Sequence, residues 1–576
     1  TFLADGAIWG MNPFGFKLGN LLLHLTTGIA VFFLVKQIAK RSIDVHAHST
    51  SLAAVIVAIW LLHPIQAGTV LYVIQRMAML STLFIVLTML AYMIGRAHLE
   101  AGQSKRGTKW IFIGVPLLTL LAALSKENGL LAPLLCGVIE WIWFRPASGA
   151  RRPRAVRAFL LWIVAAPILA GLMLLMIQPG FLLSDYGNRR FNLVERLLTQ
   201  SRVLFDYVGK VLWPNKFSMF RDDYTISTGL FSPPTTALAL AGWIVVITAA
   251  VHMRHRLPLF SGGVAIYLAG HAMESSVFPL MVYFEHRAYF PSIGILLAVA
   301  GLVMPAWHRL EPKMDHPGIV ASAGLAGLFL VLAFAKLGRA LVWVTMELLV
   351  VQSLENYPNS RFIRSEMANL EMNRSIRNPS GARQHMQALL QSERPLVQMV
   401  GELALLKIDC ISGVEIDQAD LDRVFEIIPD TLEADLVMSQ RGLIQLSKNP
   451  PCSGLDAASL ADHLAAWLDQ VPQPETLQLK GRLRLETGWL YHDIGRYKDA
   501  LVQIRLAEKS DISPAQTGLL MASVYVKLED ISRAQIELDK IEDRIDPGNE
   551  ANMNRFEELR NAIHSAQNQD TVPSNG

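Results

Sequence analysis

From its first residues to about Lys336 the chain is a succession of apolar runs separated by short polar gaps, and beyond that point the pattern stops. No other feature limits the fold as strongly. A bilayer core takes about 20 apolar residues as helix. Backbone inside it must satisfy its own hydrogen bonds, so apolar runs in series dictate a bundle of helices. Candidate spans fall near 17–35, 51–62, 77–95, 110–124, 129–144, 158–177, 235–251, 258–273, 289–306 and 318–336. Several are short and carry Pro or Gly, which is tolerated where helices pack together or line a cavity. The chain is 52% hydrophobic and only 18% charged, too apolar for a soluble protein of this length. The expected organisation is all-α: a polytopic membrane bundle of about ten helices over 1–338, helical hairpins over 339–480, helical repeats over 481–566 and a disordered tail over 567–576.

Lys and Arg in short loops set orientation. One set of loops holds Lys36, Lys40 and Arg41, then Arg96, Lys105, Arg106 and Lys109, then Arg145, Arg151, Arg152, Arg154 and Arg157, then Arg254 and Arg256, then Arg309 and Lys313. These read as cytoplasmic. The opposite short loops hold single cations, Arg76, Lys126 and Arg287, and face outward with the long segment 178–234. Both ends of the membrane part then lie outside, which makes the C-terminal domain periplasmic or lumenal.

The outward loops collect the chemistry. They carry His63-Pro64, Gln75-Arg76, Ser125-Lys126-Glu127-Asn128, then His271, Glu274 and Glu285-His286-Arg287. The long segment adds Arg189, Arg190, Arg221, Asp222 and Asp223. Ionisable groups at a membrane boundary cost free energy unless they pair or line a watery cavity, so one shared polar cavity is the economical expectation. Arg and Lys suit a phosphate, and Glu and His can hold sugar hydroxyls or exchange protons. Each residue also has a plainer role. Arg76 can anchor a helix at the headgroups, Lys126 and Glu127 can cap a helix, and His63 can end one. His271 can be a packing histidine, while Glu274, Glu285 and Arg287 can form a structural ion network. Arg189 and Arg190 read as headgroup contacts. No ligand spacing for a metal and no Walker-type loop occurs in the sequence, so no metal or cofactor and no nucleic-acid partner is expected.

In the C-terminal part Gly488, Tyr491 and Ala500 recur as Ala522, Tyr525 and Ala534, each 34 residues on. That period reads as tetratricopeptide repeats, which form grooves for peptides or partner proteins. Three cysteines make no disulfide framework: Cys136 lies in an apolar run, and Cys410 and Cys452 could pair in an oxidising compartment. Thr1–Gly10 has neither the basic region nor the cleavage site of a signal peptide, and the chain is expected to start inside a longer protein.

Four stretches carry a resemblance: NPFG with NLLLH (12–24), HPIQAGTVLYVIQRMAMLSTLF (63–84), LSKENGLLAPLL (124–135) and GHAMESSVFPLMVYFEHRAYFPSIG (270–294). Together with the repeats, the chain resembles the bacterial relatives of the transmembrane and tetratricopeptide-repeat O-mannosyltransferases, integral-membrane glycosyltransferases of the GT-C class. The resemblance implies a multi-helix bundle with an outward-facing active site, in the bacterial inner membrane. It implies a polyprenyl-phosphate sugar as donor and a hydroxyl acceptor, on protein or glycan. By motif, Arg76, Lys126 and Arg287 would hold donor phosphate, and Glu127, Glu274, Glu285 and His286 would shape the cavity. The chain departs from the family at Gln66-Ala67-Gly68, where an acidic residue often follows His-Pro. The catalytic acid-base carboxylate of this class sits in the first outward loop, so it is expected N-terminal to Thr1; Asp5 lies outside that motif. The implied reaction is one inverting displacement at the anomeric carbon, with cations stabilising the leaving phosphate. Two other readings stand beside it. One is a non-enzymatic repeat scaffold for envelope assembly, and the other is a transporter of lipid-linked substrate.

Overall fold

A computed structural model describes residues 1–144, 151–183, 186–187, 189–217, 221–448, 452–510, 512–546 and 548–570. The chain is all-α, 78% helix, with no strand among the described residues. It forms two compact units, Thr1–Ser184 with Phe191–Ile363, and Asp185–Arg190 with Arg364–Gly576.

The first unit is built from α1 (Phe2–Trp9), α2 (Pro13–Lys40), α3 (Ser49–Leu62), α4 (Ile65–Leu71), α5 (Arg76–Glu100), α6 (Ser104–Ser125), α7 (Ala132–Trp143), α8 (Arg154–Ile177), α9 (Leu193–Leu212), α10 (Thr235–Met253), α11 (Pro258–Gly270), α12 (Ser292–Leu310), α13 (Pro317–Leu341) and α14 (Met346–Asn356). Among the described residues eight helices are long and apolar enough to cross a membrane: α2, α3 with the turn before it (Val45–Leu62), α5, α6, α8, α10, α12 and α13. The expected number was about ten. The two that fall short are α7 and α11, with 12 and 13 residues. Both belong to the interior of the bundle, α7 against α5 and α11 against α12. Conversely, the apolar window of α8 has none of its residues buried and that of α13 has 6%. Helices apolar all round with so little protein cover need lipid around them.

Local sequence explains the irregularities. Pro13 opens α2 behind Asn12, whose side chain accepts from the Phe14 N–H at 3.0 Å. Both α6 and α8 contain a wide π turn, Trp110–Gly114 and Leu160–Ala165. Each turn runs directly into a proline, Pro116 or Pro167, which has no N–H to continue the ladder. The pair α11–α12 packs backbone on backbone. A Cβ on Gly263 would come within 2.4 Å of the Ala298 nitrogen, and one on Gly301 within 2.2 Å of the Phe260 nitrogen.

Hydropathy changes after Lys336, yet the first unit continues to Ile363. The reason is polar. Asn356 donates to the Phe217 carbonyl at 2.9 Å, Arg339 to Gln352 at 3.1 Å, and the Phe362 N–H to Asp222 at 3.2 Å.

In the second unit, helices α15 (Gln478–Asp493), α16 (Tyr497–Glu508), α17 (Pro514–Lys527) and α18 (Ile531–Ile541) make two successive hairpins. The residues that recur at 34 are the packing positions: Tyr491, Ala500, Ala522, Tyr525 and Ala534 are all buried. The turns match as well, with positive φ at Gly495 (81°) and, 34 residues on, at Glu529 (61°). Cys410 and Cys452 form a disulfide, and Cys136 is free and buried. The closing helix α19 (Glu550–Asp570) runs past Gln567, where a disordered tail was expected; 571–576 lie outside the described residues.

Candidate functional site

The segment between α11 and α12, from His271 to Pro291, carries most of the ionisable residues singled out in the sequence. It has little regular structure of its own, so something else must hold it. That support comes from α9, which starts with a reciprocal Asn192–Glu195 capping box. On one face of α9, Arg196 donates to the backbone carbonyls of Glu274 (2.6 Å), Ser276 (3.1 Å) and Leu280. Four residues on, Gln200 donates to the Val282 carbonyl at 2.9 Å. Tyr207 donates to the Phe284 carbonyl at 2.8 Å and accepts from the Phe284 N–H at 3.1 Å. A loop buried at this depth has to have its peptide groups satisfied, and these three side chains do much of that.

Held this way, Glu274 meets two cations. Its Oε1 lies 2.8 Å from Lys126 Nζ and its Oε2 lies 3.8 Å from Arg287 Nε. Lys126 reaches it because Gly129 lets the 127–131 turn fold back on α6; a Cβ there would sit 2.1 Å from the Ala122 carbonyl carbon. Arg287 is fixed by a 2.6 Å bond to the Met281 carbonyl. Burial alone would raise the Glu274 pKa, but Lys126 and then Arg287 outweigh it and hold it down at about 2. Burial, and next the Lys126 ammonium, push His286 down to about 3, so its ring is neutral. The cluster is therefore two cations around one carboxylate beside a neutral imidazole, with one positive charge left over.

Lys126, Glu274, His286 and Arg287 border a cavity of about 30 Å³, closed on the other side by Ser81 and Thr82 of α5 and by Asn128. That is room for one water or one phosphoryl oxygen. Ser81 Oγ, Asn128 Oδ1 and Glu274 Oε2 are buried there with no hydrogen-bond partner among the described residues. Native proteins rarely leave such atoms unmet, which marks the cavity as a place for a polar guest.

The other expected site residues go elsewhere. Arg76 is buried in a network of its own, with Asp5 at 2.5 Å, Asn20 at 2.6 Å and the Phe16 carbonyl at 2.7 Å, its guanidinium over the Phe2 ring. It ties α1 and α2 to the start of α5 rather than joining the cavity. Glu285 lies beside Arg287 in sequence but pairs with Arg339 of α13 at 3.4 Å. Glu127 is exposed. His63 is a structural residue: Nδ1 accepts from the Ile65 N–H at 3.2 Å, so Nε2 carries the proton and donates to the Val211 carbonyl at 2.9 Å. His271 packs flat on Tyr207, with centroids 5.2 Å apart, but neither ring nitrogen has a hydrogen-bond partner among the described residues.

Arg196, Gln200 and Tyr207 were missed in the sequence. Their spacing, with Val203 between, is that of one helix face, and an amphipathic helix inside the segment 178–234 was the available signal. Among the described residues no group of three or more His, Cys, Asp or Glu could hold a metal. Comparison of the chain with protein-family models, with characterised proteins and with solved structures finds no match.

Proposed function

We propose that the chain is an integral-membrane glycosyltransferase of GT-C type that transfers a sugar from a polyprenyl-phosphate donor to a hydroxyl acceptor on protein. The observation that carries this reading is the Lys126–Glu274–Arg287 cluster, one net positive charge around a polar cavity in a chain with eight apolar helices of spanning length. A sugar phosphodiester brings one negative charge to match it. As the acceptor oxygen bonds to the anomeric carbon and gives up its proton to solvent, the bond from that carbon to the donor phosphate oxygen breaks and its electron pair stays on phosphate. Lys126 and Arg287 are placed to stabilise that charge, and Glu274 fixes the two cations in position.

Orientation follows from the basic loops. Their alternation holds only if the short helices α7 and α11 also cross the membrane. For α7 the 127–131 turn lengthens the rod to about 28 Å, at 2.0 Å per 3₁₀ and 1.5 Å per α residue. The reading then places the Lys126–Arg287 cavity and the second unit on the extracytoplasmic face of a bacterial inner membrane. The Cys410–Cys452 disulfide supports an oxidising compartment for that unit. Its 34-residue hairpins are read as tetratricopeptide repeats that recruit the acceptor or a partner protein.

The test is transfer from a panel of polyprenyl-phosphate sugars by the reconstituted full-length protein. Arg287→Ala should abolish transfer while membrane insertion is kept; wild-type transfer by this variant would remove Arg287 from the mechanism. Movement of the lipid-linked sugar across the vesicle without transfer would make the chain a transporter, and neither activity would leave a scaffold.

A further inference from the structure

Helix α9 has a second face. Arg196, Gln200 and Tyr207 bond the 271–291 loop, whereas Arg202, Phe205, Asp206 and Trp213 look the other way, toward the first half of span α10. Between them lies an open cleft of about 730 Å³. That is the size of a ligand pocket, not of a packing defect.

The two walls differ in kind. The α9 wall is charged, with two cations, Arg202 and Lys210, to one carboxylate, Asp206. Asp206 is taken by Arg221 at 3.2 Å. Arg202 donates to the Thr225 carbonyl at 2.9 Å and to Ser227 Oγ at 3.4 Å, with its guanidinium over the Tyr224 ring. Lys210 donates to the carbonyls of Asn215 (3.3 Å) and Lys216 (2.6 Å) and to the Tyr357 hydroxyl (3.0 Å). Neither Arg202 nor Lys210 has a carboxylate within ion-pair reach among the described residues. The α10 wall is apolar. Leu238 is 72% exposed, and Trp213 at the rim is 74% exposed. Gly242 lets the Phe205 ring of α9 pack against α10, since a Cβ there would come within 3.0 Å of the ring. The apolar wall continues into the exposed Val245, seven residues after Leu238 on the same helix face.

A soluble anion would use only the first wall and a hydrocarbon only the second. From this pairing we infer that the cleft is a binding site for a lipid with an anionic phosphate headgroup. The phosphate sits at Arg202, with the buried Lys210 ammonium adding positive charge from behind, and an acyl or prenyl chain lies along α10 over Leu238. It is a different site from the Lys126–Glu274–Arg287 cavity: the body of α9 separates them, with Tyr207 stacked between His271 and Tyr283. The inference stands whether or not the chain is a glycosyltransferase.

The test reads which lipids the whole chain retains. The protein is reconstituted in phosphatidylcholine nanodiscs doped with phosphatidylglycerol, and lipids that survive detergent extraction are counted by native mass spectrometry. Wild type should retain phosphatidylglycerol over phosphatidylcholine. Arg202→Gln should cut that retention about tenfold, the loss of one charge-assisted contact. Leu238→Trp, a change at an exposed position that fills the cleft without touching a charge, should do the same. Arg256→Gln, an exposed cation beyond the other end of α10, should change nothing. Wild-type retention by both cleft variants, equal retention of phosphatidylcholine, or full displacement of the lipid by inorganic phosphate would each overturn the proposal.

Discussion

Glu274 is the residue on which most depends, because it is buried and serves two cations. Replacing it with Gln leaves Lys126 and Arg287 buried against each other without a counter-charge, a change that costs about 3 kcal/mol or more. Glu274→Gln should therefore lower the thermal midpoint of the reconstituted chain, and an unchanged midpoint would show that the cluster is hydrated rather than buried. Acid should act on the same loop in two stages. Between pH 6.5 and about 3 the unfolded His286 takes a proton that the folded ring refuses, so stability falls as pH drops through that window. Glu274 adds to the loss below its usual 4.5, as pH falls toward the folded value of about 2. A midpoint that holds level from pH 7 to pH 4 would contradict this. In the second unit, Glu529 holds a positive φ of 61° at the turn position that Gly495 occupies one repeat earlier. A side chain in that region costs about 1 kcal/mol, so Glu529→Gly should raise the stability of this unit by up to that amount.

At the scale of elements, the 271–291 loop is clamped at both ends by one helix pair. Glycines 263, 294 and 301 bring α11 and α12 into backbone contact, and a Cβ on Gly294 would already approach the Gly263 carbonyl oxygen at 2.6 Å. Gly294→Leu should drive the pair apart, cost upwards of about 3 kcal/mol, and displace the loop between them. Gly318→Leu at the start of α13, where nothing lies within 4 Å, is the matched control. Equal midpoints for the two variants would mean that the contact does not hold the loop. The sequence made these helices easy to find, since each is a continuous apolar run bounded by polar residues. It did not announce α9. That helix is amphipathic and lies in a stretch of mixed polarity, so hydropathy passes over it, although it carries the groups that satisfy the loop's backbone.

At the scale of the whole molecule, the chain joins a lipid-facing bundle to a unit with a buried apolar core of the ordinary globular kind. The disulfide between Cys410 and Cys452 closes 42 residues of the second unit. Cys410→Ser should therefore lower the unfolding free energy of that unit by about 2–4 kcal/mol and leave the membrane unit unaffected. A loss shared by both units would show that they unfold together. The sequence by itself determined the all-helical class, the serial apolar helices and the 34-residue recurrence, because each is a periodic or local property written along the chain. The tertiary structure alone decided which charges meet. Arg76, Lys126, Glu285 and Arg287 look alike in sequence, as charges at apolar boundaries. Yet Lys126 and Arg287 converge on Glu274, Arg76 turns to Asp5, and Glu285 turns to Arg339. A buried charge takes whichever partner long-range packing brings within reach, and that choice has no signature in local sequence.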